Sequence, residues 1–287
     1  MTELATFAQQ HFPGLCQPRP QDSHKGNFGT LGILAGGKNM VGAALLAARA
    51  ALKQGTGRVH IGFTQDNQPL EVDPVQPELM LNTAGKLLGK EDISTWVAGC
   101  GMGLTPLAQN CLATLFNRYP NAAIVLDADA LTLLSEHAFA LSHAKAPLVL
   151  TPHPSEAARL LGCTTVDIQK NRKLSAQQIS AKYTAWTILK GYQTVICSPK
   201  GEITVNHTGN PGLSTAGTGD VLAGMIGACL AQGIATEQAM AGAVWLHGAA
   251  ADYLVSQGIG PIGMTAGEVL EAARTVRNLI TLPNNLQ

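Results

Sequence analysis

The chain has 287 residues, 46% of them apolar and 13% charged, a balance that suits a compact folded protein and excludes a disordered one. Lys and Arg number 19 and so do Asp and Glu, with no basic run, which argues against nucleic acid or an anionic membrane as the main partner. Six scattered cysteines (16, 100, 111, 163, 197 and 229) form no C-x-x-C pair and flank no histidine cluster, so metal and disulfide readings are both weak.

In chain order, a polar lead with prolines at 13, 18 and 20 gives way to GTLGILAGG (29–37), which reads as a buried strand running into a glycine turn. MVGAALLAARAALKQGTG (40–57) is a small-residue helix closed by a glycine C-cap signal, and RVHIGFT (58–64) alternates like a strand. A Pro-, Asn- and Asp-rich connection (65–77) precedes TWVAGCGMG (95–103), a short strand ending in glycines. Helix 105–118, strand 122–129, helix 129–136, strand 146–151 and helix 155–161 continue the alternation, followed by one amphipathic helix at 167–181. WTILKG, TVICSP and EITVNH then read as three strands, the last two joined as a hairpin near 194–206, and the end is helical over 218–232, 236–256 and 265–279.

Short buried strands alternating with helices predict an α/β fold: a mostly parallel central sheet with helices on both faces, read as one domain over 1–287. Ligands of such sheets bind beyond the carboxyl ends of the strands, where the unusual residues of this chain cluster. The start, MTELATFAQQHFPG, lacks a secretory signature, and no apolar run is long enough to span a membrane. Scattered thiols suit a reducing compartment, so a soluble cytoplasmic protein is expected.

Residues 206–220, NHTGNPGLSTAGTGD, carry the chemistry. Small residues directly before a helix leave several backbone N–H groups pointing at one spot, reinforced by the helix dipole, which makes an anion hole. Asp220 then falls in the first helical turn. A lone Asp there is an ordinary cap, but capping needs one residue and not fifteen. A carboxylate beside bound phosphate has a role if it accepts the proton of a hydroxyl that attacks the phosphoryl group. Two similar patterns are decoys. GILAGGKN (32–39) ends in Asn39, where a P-loop needs Ser or Thr, and GCGMG (99–103) lacks dinucleotide-fingerprint spacing.

At GTGD the sequence resembles the ribokinase-like superfamily, whose members carry a G-x-G-D anion hole and base at this place. TPHPSEAARLLG (151–162), LDADAL (126–131), LKGYQT (189–194) and NHTGNPGLSTAGTGDVLAG (206–224) together resemble the ADP-dependent NAD(P)H-hydrate dehydratases, in register from Gly26 to Gly267. The resemblance implies a ribokinase-like three-layer sandwich that repairs hydrated, redox-inactive NADH or NADPH. A nucleotide's terminal phosphoryl group goes to the ring hydroxyl, and phosphate is then eliminated, leaving AMP. Bacterial members prefer ADP and eukaryotic ones ATP, so ADP is the implied co-substrate, with ATP as the other option and magnesium as the cofactor.

Carried across position by position, Asp220 resembles the base on the substrate hydroxyl, and Gly217, Thr218 and Gly219 the anion hole. Lys190, Gly191, Tyr192, Gln193 and Thr194, with Asn206, Thr208, Gly209 and Asn210, resemble the nucleotide-binding elements. His153 resembles the substrate-contacting histidine, and Ala43 with Gly101 or Gly103 the remaining substrate contacts. Relatives form homo-oligomers, often tetramers, and some carry a fused epimerase domain for which this chain is too short, so that activity is expected from a separate partner.

Plainer readings stand beside these. Lys190 could be a solvated charge at a strand end, and His153 a rigid turn residue between two prolines. Asp129 reads as a cap of the next helix, while Asp127 stays open. Glu156 either orients a magnesium-bound water or is an ordinary helix-start glutamate. GGKNMVG and GCGMG depart from the family pattern on the substrate side. A vitamin-precursor kinase of the same superfamily, acting on a hydroxymethylpyrimidine or a thiazole alcohol, would use the loop and Asp220 equally; TPHPSE and NHTGNPG favour the dehydratase. A non-catalytic nucleotide sensor would not need Asp220.

Overall fold

The computed structural model describes residues 3–137, 139 and 146–281. The chain runs α1 (Glu3–His11), β1 (Thr30–Ala35), α2 (Val41–Lys53), β2 (Arg58–Phe63), β3 (Met80–Thr83), α3 (Ala84–Leu87) and β4 (Thr95–Ala98). It continues with α4 (Pro106–Arg118), β5 (Ala123–Leu126), α5 (Ala128–Glu136), β6 (Leu148–Leu150), α6 (Pro154–Leu161), α7 (Thr165–Lys170) and α8 (Arg172–Tyr183). The last part is β7 (Trp186–Leu189), β8 (Val195–Cys197), β9 (Ile203–Val205), α9 (Thr218–Ala231), α10 (Thr236–Ser256) and α11 (Ala266–Thr281).

Strands such as AIVL and LVL are apolar at every position because helices cover both faces of the sheet, and both strands are fully buried. Among the described residues nine strands form one sheet in the order β3-β2-β1-β4-β5-β6-β7-β8-β9. Pairing is parallel from β3 through β7 and antiparallel across β7-β8-β9; the β8-β9 pair is the hairpin expected near 194–206. The chain leaves β1 toward β2 on one side and returns to β4 on the other, so β1 and β4 flank a switch point where a crevice opens at their carboxyl ends. There the two glycine turns are tied together: Gly37 N–H donates to the Gly101 carbonyl at 2.7 Å, and Gly36 N–H to the Cys100 carbonyl at 3.2 Å.

Two cores result. One joins the sheet to α2, α9, α10 and α11, and the other joins it to α4, α5, α6 and α8. Helix α9, apolar all round, is buried between the sheet and α2. The alanines of α2 are what let the two helices approach. A Cβ on Gly224 would stand 2.1 Å from the Ala47 carbonyl oxygen, so the contact is backbone against side-chain-free backbone. Gly32 lies inside β1 beneath the Trp96 ring, so the first glycine of the P-loop-like string serves strand packing.

Three expectations are corrected. The polar lead holds a helix, α1, whose Ala5 and Ala8 are buried and whose Phe7 stacks on Trp245. The stretch after residue 77 adds β3 and α3, four residues each and too short to show periodicity. The single helix at 167–181 is two: Asn171 leaves helical geometry at φ −141°, and Arg172 reaches back to the Leu189 and Lys190 carbonyls at 3.0 and 3.2 Å. A Gly224→Ala variant should lose stability by about 3 kcal/mol, the upper end for overpacking, because backbone cannot swing aside. A lowered urea midpoint at unchanged m-value would show it.

Candidate active site

The loop between β9 and α9 is held in place before it reaches the helix. Thr208 Oγ1 donates to the Trp245 carbonyl at 2.8 Å, and Asp252 of α10 accepts from the Gly209 amide (2.8 Å) and from Asn210 Nδ2 (2.9 Å). The chain enters α9 through Gly217 at φ 91°, a left-handed position that favours glycine. The Thr218 hydroxyl turns back to the Leu213 and Thr215 carbonyls at 2.8 and 3.0 Å, so it closes the turn and caps nothing. Among the described residues, the amides of Gly217, Gly219 and Asp220 have no acceptor. Three free donors at the positive end of a buried helix make a site for an anion.

Lys190 follows β7 and points at the same place. A Cβ on Gly219 would lie 3.4 Å from its Nζ. That ammonium is no solvated charge: its side chain is 18% exposed, 2.5 Å from Asp127 Oδ1 and 4.0 Å from Glu156 Oε2. Burial alone would lower its pKa, but the Asp127 and Glu156 carboxylates outweigh this and raise it. Thr151 Oγ1 donates to Asp127 at 2.7 Å from the end of β6.

His153 and Glu156 form a reciprocal cap at the start of α6. Glu156 accepts from the His153 amide at 2.7 Å, and His153 Nδ1 accepts from the Ser155 and Glu156 amides at 3.2 and 3.4 Å. An Nδ1 that accepts leaves the proton on Nε2, which faces Glu156 Oε1 at 3.1 Å. Burial would raise the Glu156 pKa, but His153 and Lys190 hold it below the usual range.

Asp220 stands half-buried in the first turn of α9, facing Cys100, Asp127, Lys190 and Asp129. Desolvation and then the Asp127 charge push its pKa up to about 7, against the opposing pull of the Cys100 thiol and Lys190. Burial, Asp220 and Asp127 together raise the Cys100 pKa well above a free thiol's. Ligand atoms of Cys100, Asp127 and Asp220 lie within 4.8 Å of one another. Asp129 does not cap α5 as expected; its Oδ2 accepts from the Gly103 amide at 2.8 Å, tying the β4 turn to α5.

A cavity of about 410 Å³ opens beside this cluster. Lys190, Gly191, Tyr192, Gln193, Thr194, Asn206, Thr208, Gly209, Asn210, Thr218 and Gly219 all line it. Gly217, Asp220, Ala43, Gly101, Gly103 and His153 are not among its lining residues; Ala43 follows β1 in α2, Gly101 and Gly103 follow β4, and His153 follows β6. Within that group Ala43 and Gly101 are neighbours, since a Cβ on Gly101 would meet Ala43 Cβ at 3.1 Å. Sequence reasoning missed the far wall: Leu213, Ser214, Leu222 and, on α10, Val244, His247 and Gly248. Residues 242–251 of α10 are all buried, so no periodicity marked the face presented to the cavity. Burial drops the His247 pKa to about 4, leaving the ring neutral near pH 7.

The NAD(P)H-hydrate dehydratase family matches residues 31–274 of this chain. The chain belongs to that family. It is 46% identical over 272 residues to the ADP-dependent (S)-NAD(P)H-hydrate dehydratase of Neisseria meningitidis serogroup B, covering 94% of this chain and 92% of the relative. The solved ADP/ATP-dependent NAD(P)H-hydrate dehydratase of Bacillus subtilis, co-crystallised with ATP and Mg²⁺, superposes with a TM-score of 0.84 at 32% identity, covering 95% of this chain and 97% of that one. A ribokinase-like superfamily protein of Enterococcus faecalis V583 superposes with a TM-score of 0.81 at 28% identity, covering 94% and 95%. The fold is ribokinase-like. The chain spans about half the length of the bifunctional NAD(P)H-hydrate repair enzymes that it also matches.

Gly217→Ala should weaken ADP binding about tenfold or more. A residue with Cβ costs about 1–2 kcal/mol in the left-handed region, and this Cβ would also stand 2.5 Å from Leu46 Cδ1. Calorimetric titration with ADP measures the loss; unchanged affinity would show that the turn is not needed.

Proposed function

We propose that this chain dehydrates hydrated NADH or NADPH at the expense of ADP, with Asp220 as the catalytic base. The observation that carries the reading is the conjunction at the start of α9. Three unpartnered amides and the Lys190 ammonium converge where a carboxylate with a pKa of about 7 stands ready to take a proton. The names of the relatives support the substrate and the nucleotide.

The nucleotide occupies the cavity walled by Lys190–Thr194, by Asn206, Thr208, Gly209 and Asn210, and by α10, with its terminal phosphoryl group at the amides of Gly217, Gly219 and Asp220. The hydrate sits at the crevice between the β1 and β4 turns, against Ala43, Gly101, Gly103 and His153. Asp220 accepts the proton of the ring hydroxyl as its oxygen bonds to the terminal phosphorus. The bond from that phosphorus to the AMP oxygen breaks. Phosphate then departs with the ring C–O bond, a proton leaves the adjacent carbon, and the double bond returns. Hydroxide is a poor leaving group and phosphate a good one, which is why a dehydration consumes a nucleotide.

Magnesium fits the charge balance. Asp127, Glu156 and Asp220 put three carboxylates around one ammonium, so a nucleotide polyanion needs a further cation here. The cluster of Cys100, Asp127 and Asp220 is a poor cage for it: the thiol is soft and protonated, and Asp127 is committed to Lys190 and Thr151. Glu156, acting through bound water, would hold the ion, with nucleotide phosphates supplying other ligands. When bound it supplies neutralisation of phosphate charge. We further infer cytoplasmic residence, which buried free thiols suit, a homotetramer on the strength of the resemblance, and an epimerase activity as a partner in the same repair.

Incubation with hydrated NADH, magnesium and ADP should restore the dihydronicotinamide absorbance and release AMP and phosphate. No recovery with ADP or ATP, alongside phosphorylation of a thiazole alcohol, would replace this reading by the kinase. Asp220→Asn should retain AMP binding and lose turnover by roughly 10²–10⁴-fold. Asp220 accepts a proton only while ionised, so kcat/KM should climb with pH through about 7 and level off above it. A profile flat from pH 5 to 9, read by initial rates, would remove Asp220 from the base role.

A further inference from the structure

We propose that Asp127 is a positioning residue for the transfer step, anchoring the Lys190 ammonium beside the N-terminus of α9 and setting the charge that Asp220 faces. The inference rests on the phosphoryl-transfer reading above. Asp127 occupies the N-cap position of α5, where an aspartate ordinarily satisfies helix amides, yet its side chain caps nothing. Its carboxylate is buried and directed elsewhere. Oδ1 receives the Thr151 hydroxyl at 2.7 Å and Lys190 Nζ at 2.5 Å, and Oδ2 lies 3.8 Å from where a Gly219 Cβ would be.

The backbone around it is built to one shape. Ala128 is held at φ 46°, an uncommon conformation for a residue with a Cβ, and a Cβ on Gly99 would stand 1.8 Å from the Asp127 carbonyl oxygen. Helix capping explains neither feature, because the cap is not made. Lysine is a compact charge on a flexible stem, so something must hold it where the amides of α9 point. Asp127 is the carboxylate in direct contact; the other, Glu156, is 4.0 Å away. The groups facing Asp220 are Asp127, Cys100, Lys190 and Asp129, and among the carboxylates Asp127 presses on it hardest.

The test is Asp127→Asn, which keeps the shape and removes the charge. We expect ADP-dependent turnover to fall about tenfold or more while AMP affinity stays within about threefold of the parent. The titration midpoint of Asp220, followed by NMR of carbon-13-labelled aspartate, should move to lower pH. Turnover within about threefold of the parent, or an unmoved Asp220 midpoint, overturns the proposal; so does a loss of AMP binding in step with turnover, which would mark Asp127 as fold support. Should that variant not fold, Thr151→Val removes the hydroxyl that orients Asp127 and keeps its charge. Reduced turnover with the Asp220 midpoint retained supports the proposal, and unchanged turnover overturns it. The NMR titration needs no substrate. A parent protein inactive on the hydrate, whose Asp220 midpoint still drops in Asp127→Asn, would sink the dehydratase reading and leave the Asp127–Asp220 coupling standing.

Discussion

The first turn of α9 must keep its amides unsatisfied, and much of the molecule is arranged around that constraint. A helix start normally finds a side-chain cap, but here Gly217 has no side chain and the Thr218 hydroxyl is turned back into the loop. The free donors stay in place because the helix behind them cannot shift. Helix α9 is wedged between the sheet and α2 at a separation that leaves no room for a Cβ at Gly224. Its approach loop is fastened to α10 through Thr208 and Asp252. Packing far from the chemistry therefore sets the direction in which three N–H groups point.

The electrostatics follow from the same crowding. Asp127, Glu156 and Asp220 come from the turn between β5 and α5, from α6 and from α9, and one ammonium serves them all. Glu156 is also bonded by His153 and keeps a lowered pKa, whereas Asp220 is left to desolvation and a like charge and is raised to about 7. Neighbouring carboxylates pushed apart in this way take different tasks: one stays ionised and structural, and the other exchanges a proton near neutrality. Such a cluster costs folding stability, which an apolar core of two large layers offsets.

Legibility varied with the length scale of the cause. The parallel strands were readable because a strand covered on both faces must be apolar throughout, and AIVL and LVL are. The break at Asn171 was not, since what ends α7 is Arg172 turning to carbonyls at the end of β7, a partner with no trace in the local pattern. Asp129 looked like a cap by position, but its carboxylate is drawn to the Gly103 amide in the turn after β4. His153 was read as a ligand contact or a turn residue; its ring nitrogens are in fact both occupied by α6, so only the ring's edge and faces are left for a substrate. The α10 wall of the cavity was invisible because the stretch that forms it, 242–251, is buried on all sides and shows no preferred face.

Local chain geometry was enough to place a carboxylate one residue beyond a glycine turn at a helix start, and to alternate strands with helices around it. Turn conformations and hydrophobic period are properties of neighbouring residues, so the string from Asn206 to Asp220 carries them whole. The bond between Lys190 and Asp127, 63 residues apart, and the proton affinity of Asp220 arose only in three dimensions. Burial and through-space charge depend on which strand ends are brought side by side, and that is decided by the packing of the sheet.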